Sequence, residues 1–231
     1  PLIITLLTLF FSHTLGSFSL ALLLTGAILF AVVMTFAVTW LLSRTVLRGE
    51  PSAFALELPP YRMPQVGSVL LRSLLDRTVF VLGRALAVAC PTGMLLWCLA
   101  NCSVGGGNLL QWLSAALNPL GHALGLDGVL LLSFLLGFPA NEIVLPIALM
   151  TYQAQGALTP LDLGSLLPIL LSQGWTARRA VCMLLFTLFH WPCSTTLLTV
   201  RKETGSPLWT TLAFLVPTAV GAALCWVVHW L

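Results

Sequence analysis

The sequence predicts an all-α, polytopic helical membrane protein with Pro-broken gate helices, and three observations carry that prediction. Hydrophobic residues make up 58% of the 231-residue chain and charged residues only 7%, where a soluble domain carries about a quarter charged residues. Mean hydropathy is strongly positive, so the bulk of the chain must face lipid or other buried helices. The apolar positions form continuous runs rather than the alternation of a membrane barrel.

The formal charge of +3 is small and dispersed, which argues against nucleic acid as a partner. Six cysteines lack the pairing of a zinc site or a disulfide framework. Cys90, Cys98, Cys182 and Cys225 sit inside apolar runs and read as small buried hydrophobes. The chain opens at Pro1 inside an apolar run, without a charged segment and cleavage site, and this reads as a fragment boundary without a signal peptide.

Residues 17–42 are long enough to cross a bilayer. Arg44 and Arg48 follow, and the stretch to Arg77 is the most charged in the sequence, which places it at the cytoplasmic face. Within it Gln65, Ser68, Arg72 and Asp76 share one helical face and Val66, Val69, Leu70 and Leu74 the other, the pattern of an interfacial helix. Residues 1–78 therefore form a first region, with early spans, linker and interfacial helix, and residues 79–231 a second.

The second region opens with a span at 79–100. Residues 101–127 lack Lys and Arg, as an outer connection does, and contain a short helix at 108–117 ended by Asn118-Pro119. A span is expected over 128–152, interrupted at its centre, then a half-span at 163–171 containing Pro168, and spans at 179–200 and 207–231. Basic pairs flank both ends of the penultimate span, Arg178-Arg179 and Arg201-Lys202, so charge leaves the side of the C-terminus open.

Three polar breaks carry the functional information, because a helix facing lipid gains nothing by interrupting itself. The first is Glu57-Leu58-Pro59-Pro60-Tyr61-Arg62-Met63-Pro64, where three prolines exclude a continuous helix. Its plain alternative is a loop stapled by a Glu57–Arg62 pair. The second is Gly137-Phe138-Pro139-Ala140-Asn141-Glu142. If 128–152 crosses the membrane, Glu142 sits near the bilayer centre, and an ionisable group at that depth is a functional candidate. The plain alternative is a glutamate held by hydrogen bonds from Asn141 or a neighbouring helix. The third is His190-Trp191-Pro192-Cys193. Pro192 frees the carbonyl of Leu188. On an ideal helix His190 and Cys193 share a face, and imidazole and thiolate both suit a first-row metal such as Fe²⁺. The plain alternative is a packed cysteine and a histidine bonded to another helix. No P-loop or hydrolase motif occurs, so the chain reads as binding no nucleotide and as no enzyme.

These breaks also carry a family resemblance. Phe54-Ala55-Leu56-Glu57-Leu58-Pro59-Pro60-Tyr61-Arg62-Met63-Pro64, Gly137-Phe138-Pro139-Ala140-Asn141-Glu142, Trp191-Pro192-Cys193 and Val200-Arg201-Lys202-Glu203-Thr204-Gly205-Ser206 follow one another as similar stretches do in FeoB-type ferrous iron transporters. The resemblance covers nearly the whole chain. It implies Fe²⁺ as transported substrate, a multi-pass place in the bacterial cytoplasmic membrane with lipid around it, and a GTPase domain and first gate region normally in the same polypeptide. It leaves room for a homo-oligomer. It also implies Cys193 as the second gate cysteine, with Glu57 and Glu142 as candidate acids. Asn141 stands where many members carry Lys, and His190 where many carry an aromatic or aliphatic residue. The site expected is thus Glu57, Asn141, Glu142 and Pro192 at the gates, with Cys193, His190 and Glu142 toward metal. A nucleoside-recognition gate protein and a structural or regulatory membrane module remain alternatives.

Overall fold

The computed structural model describes residues 2–11, 16–45, 66–104, 107–153 and 163–231. They are helical almost throughout: α1 (Leu2–Phe11), α2 (Ser17–Thr45), α3 (Val66–Leu74), α4 (Phe80–Asn101), α5 (Leu109–Ala123), α6 (Gly128–Leu136), α7 (Val144–Tyr152), α8 (Leu163–Ser172), α9 (Ala177–Phe189), α10 (Ser194–Thr204) and α11 (Pro207–Trp230). A two-residue antiparallel pair, β1 (Ser103–Val104) with β2 (Gly107–Asn108), interrupts them. Among the described residues, four stretches are long and apolar enough to cross a membrane: Ser17–Thr45, Val81–Asn101, Ala177–Thr204 and Pro207–Trp230. The chain is an all-α polytopic membrane protein.

Residues 25–84 make one compact unit, and residues 1–24 with 85–231 the other. Neither α2 nor α3 buries a residue, as expected where the apolar surface meets lipid rather than protein. Near the end of α2 the Arg44 guanidinium lies 4.3 Å from the centre of the Trp40 ring, a pairing suited to the headgroup level. Below it in sequence, α3 leads through a π turn, Leu75–Val79, into α4.

The larger unit is built around α6 and α7, and here the sequence expectation is corrected. Residues 128–152 do not cross the membrane as one broken span. Tyr152, ending α7, donates its hydroxyl to Asp127, preceding α6, at 2.5 Å. A continuous helix would hold those ends roughly 37 Å apart, so the two helices return on each other as a hairpin. Each has nine residues, about 14 Å of helix against a hydrocarbon core of about 30 Å. The segment therefore folds back on itself as a hairpin. The apolar run looks like a span because both legs of the hairpin are buried: α6 buries Leu130, Leu131, Leu132 and Phe134, and α7 all but Pro146 and Tyr152. Non-helical backbone at membrane depth survives only inside protein, and this burial provides that setting.

Two glycines permit the close approaches. At Gly137 a Cβ would meet Val144 Cγ2 at 2.5 Å and the Ser133 carbonyl oxygen at 2.8 Å. A Cβ at Gly128 would collide with the Ser114 carbonyl oxygen of α5, while its N–H donates to Asn118 Oδ1 at 3.1 Å. This packing also explains why α5 runs through Pro119 to Ala123 instead of ending at Asn118-Pro119. Contacts with α6 support the turn that the missing N–H weakens. Between them α5 and α6 bend by 107°.

One core cluster joins α6 and α7 to α8, α9 and α11 through Leu130, Phe134, Leu145, Leu170, Met183, Phe186 and Cys225. A second joins them to α4 and α5 through Leu96, Ala100, Leu110, Leu132, Ile147 and Met150. Cys182 and Cys225 are buried as expected, but Cys90 and Cys98 are exposed. Both lie on faces of α4 without protein cover, so apolar surroundings in sequence meant lipid there rather than core.

Candidate functional site

The hairpin has a base and a tip, and both touch α9 or its continuation. At the base Asp127 caps α6, its Oδ1 accepting the Leu130 N–H at 2.8 Å. Its Oδ2 accepts the Tyr152 hydroxyl and lies 3.4 Å from Arg179 Nη1 of α9. Trp175 Nε1 donates to Tyr152 Oη at 3.1 Å, and Phe10 of α1 stacks on Trp175 with ring centres 5.8 Å apart. Arg179 also donates to the Gln173 carbonyl, and Arg178 to that of His229, at 3.4 and 3.2 Å. Both hairpin legs, the turn before α9 and the end of α11 are thus tied at one level. Sequence reading treated Arg178 and Arg179 as orientation charges. The available signal was Asp127 in N-cap position before an apolar run, but spacing could not reveal its partner 52 residues away.

At the tip, Pro139 and the turn around it leave the Phe138 carbonyl without a helical partner. The α9–α10 break lies opposite. His190 closes α9 in extended conformation and Cys193 is the N-cap of α10, so 190–193 is not a helical turn and the shared-face expectation for an ideal helix does not hold. Pro192 is the reason, since it cannot donate to a preceding carbonyl. The N–H of Ser194, one of the first-turn donors that α10 cannot satisfy internally, donates to Phe138 O at 3.0 Å. The free donor of one break meets the free acceptor of the other.

Aromatic packing reinforces this bond. Phe214 of α11 stacks on Trp191 with centres 5.4 Å apart and meets Phe138 edge-on at 6.3 Å. Phe134 and Phe186 flank the His190 ring at 5.1 and 6.0 Å. His190 Nδ1 faces the Thr187 carbonyl at 2.9 Å. That oxygen can only accept, so Nδ1 carries the proton and Nε2 offers a lone pair. Cys193 Sγ lies 3.1 Å from the hydroxyls of both Thr195 and Thr196, at a helix end that favours negative charge.

The breaks also collect the unsatisfied polar atoms. Among the described residues, the buried side-chain nitrogen and oxygen atoms without a hydrogen-bond partner are Asn141 Oδ1, His190 Nε2, Trp191 Nε1 and Ser194 Oγ. Each such atom costs about 1–3 kcal/mol, and all four belong to residues 141 or 190–194.

Among the expected site residues, the structure brings the Asn141 segment against Pro192 and Cys193 through the Ser194–Phe138 bond. Glu142 lies beside Asn141 on a 3₁₀ turn, Asn141–Ile143, with its side chain exposed. Glu57 lies outside the described residues. Among the described residues no three His, Cys, Asp or Glu side chains come together as a metal-binding group.

The family described as "Ferrous iron transport protein B C terminus" matches residues 24–76, which carry α2 and α3 rather than the two breaks. The chain is similar to the Fe(2+) transporter FeoB of Staphylococcus aureus, 26% identical over 86% of this chain and 30% of the relative. It is similar to that of Synechocystis, 27% identical over 82% of this chain and 30% of the relative. It is likewise similar to that of Leptospira interrogans, 26% identical over 94% and 34%. The chain thus spans about a third of the length of the curated relatives it matches. No solved structure matches it significantly. In sequence the chain is FeoB-like, resembling a membrane portion of that transporter.

Proposed function

We propose that this FeoB-like chain is the membrane-embedded part of a ferrous iron transporter, carrying Fe²⁺ across the bacterial cytoplasmic membrane. The observation that supports it most is the junction of two proline-broken segments inside the protein, one of them the tip of a hairpin. Transporters place substrate sites where discontinuous helices meet near the midplane. Cys193 offers a soft sulfur contact and His190 Nε2 a borderline nitrogen, a combination suited to Fe²⁺. Asn141 supplies a neutral oxygen, Pro192 keeps the break open, and Glu142 balances charge, with Glu57 a further gate candidate. Contacts must be weak enough to release the ion.

In this reading residues 1–78 form the first region with its linker, and residues 79–231 the gate region. A GTPase domain and a first gate region in the same polypeptide drive the cycle, and this chain itself neither binds nor hydrolyses nucleotide. Lipid is its solvent, and copies can associate.

The test is anaerobic iron uptake in cells lacking other ferrous transporters. The chain joined to a GTPase domain and first gate should restore uptake, and Cys193→Ser in that protein should lower it. Unchanged uptake in the variant removes Cys193 from the path. Failure of the joined protein to transport, despite insertion and expression, removes iron transport itself.

A further inference from the structure

The orphaned polar atoms at the junction say more about the cargo than its identity. With no group of three His, Cys, Asp or Glu side chains among the described residues, and with Glu142 exposed, Cys193 and His190 are the protein ligands that the described breaks offer directly. A divalent ion meeting so few ligands keeps water in its shell, as Mg²⁺ does in sparsely liganded sites. Filters that strip an ion instead surround it with rings of carbonyls or charges.

Water bound to a cation turns its lone pairs to the metal and its O–H groups outward, so it calls for acceptors. The junction supplies two of them. Asn141 Oδ1 and Ser194 Oγ are buried and unpartnered. His190 Nε2 is also unpartnered, and its lone pair, free because Nδ1 faces Thr187 O, is left for the ion itself. His190 and Ser194 are only 8% and 7% exposed, so bulk water does not satisfy them freely. The fourth orphan, Trp191 Nε1, can only donate. It repels a bare cation and suits the oxygen of a second-layer water. The Ser194–Phe138 bond holds the segments bearing these atoms together.

We infer that the junction of the hairpin tip with the α9–α10 break recognises a hydrated divalent cation, through second-sphere hydrogen bonds to Asn141 and Ser194. The inference rests on the iron-transport reading above and specifies the form in which the ion is held.

The test uses the full chain in anaerobic lipid nanodiscs, with maleimide labelling of Cys193 followed by peptide mass spectrometry. Ferrous iron is compared with hexaamminecobalt(III), whose ammine ligands do not exchange and present N–H donors where a hydrated ion presents O–H. Both should slow labelling. Asn141→Ala and Ser194→Ala should each raise the half-protecting concentration of either ion about tenfold, the loss of one hydrogen bond to a charged group. Two variants are used so that one folded protein suffices. Protection by ferrous iron but not by hexaamminecobalt(III) overturns second-sphere recognition and leaves the iron reading standing. Protection by neither overturns both at this junction. Protection by both that neither variant weakens also overturns the inference, since the ions would then act elsewhere.

Discussion

The base and the tip of the hairpin both set polar groups among aromatic rings, yet their chemistry is opposite. At the base every polar group of the Asp127 cluster has a partner: Leu130, Tyr152 and Arg179 converge on one carboxylate, and Trp175 completes the tyrosine. At the tip the breaks share one backbone hydrogen bond, and four buried side-chain atoms have none. A satisfied buried network rigidifies a fold, whereas an unsatisfied one is costly and persists where another function requires it. The difference teaches that the hairpin is anchored at one end and available at the other.

Variants should separate the two ends. The largest effect is expected from Asp127→Ala, which strands Arg179 and removes the acceptor of Tyr152 and Leu130. Losing this partly buried pair together with the two other hydrogen bonds to the same carboxylate costs about 3 kcal/mol, measurable as a lowered unfolding temperature in nanodiscs. Gly137→Val should come next, because its side chain must displace Val144 or the Ser133 carbonyl. Overpacking of this kind costs about 1–3 kcal/mol, and limited proteolysis near the tip should quicken. Tyr152→Phe removes one donor from Asp127 while keeping the ring, for about 1–2 kcal/mol in the same thermal assay. Ser194→Ala should be smallest for stability, within about 1 kcal/mol of the parent, because the lost hydroxyl has no partner to strand. Its iron uptake in the joined protein should nevertheless fall. A Ser194→Ala protein as unstable as Asp127→Ala would erase the distinction between base and tip.

Much of this was legible in the sequence. The long apolar runs at α2, α4 and α11 read directly as spans, and the prolines at 139 and 192 marked both breaks. What periodicity could not supply was direction. A buried hairpin and a broken span present the same apolar residues around the same polar break, and contacts between the legs such as Asp127–Tyr152 distinguish them. The same limit hid the base network, whose members come from four separate stretches of chain. It also misled the reading of His190 and Cys193, whose spacing implies a shared face only where a helix continues through Pro192. The four unpartnered atoms were beyond sequence altogether, since satisfaction depends on neighbours that the chain brings together only on folding.

The sidedness of the hairpin's two ends distinguishes it most directly from a span across residues 128–152. His122, in the last turn of α5, and Gln153, just past α7, are both exposed. In a protein whose native cysteines are replaced by Ala, His122→Cys and Gln153→Cys would each be treated with a membrane-impermeant thiol reagent, in intact cells and in inverted vesicles. The hairpin predicts that both positions label from the same side. Labelling from opposite sides would mean that residues 128–152 cross the membrane, and the base and tip described here would not exist.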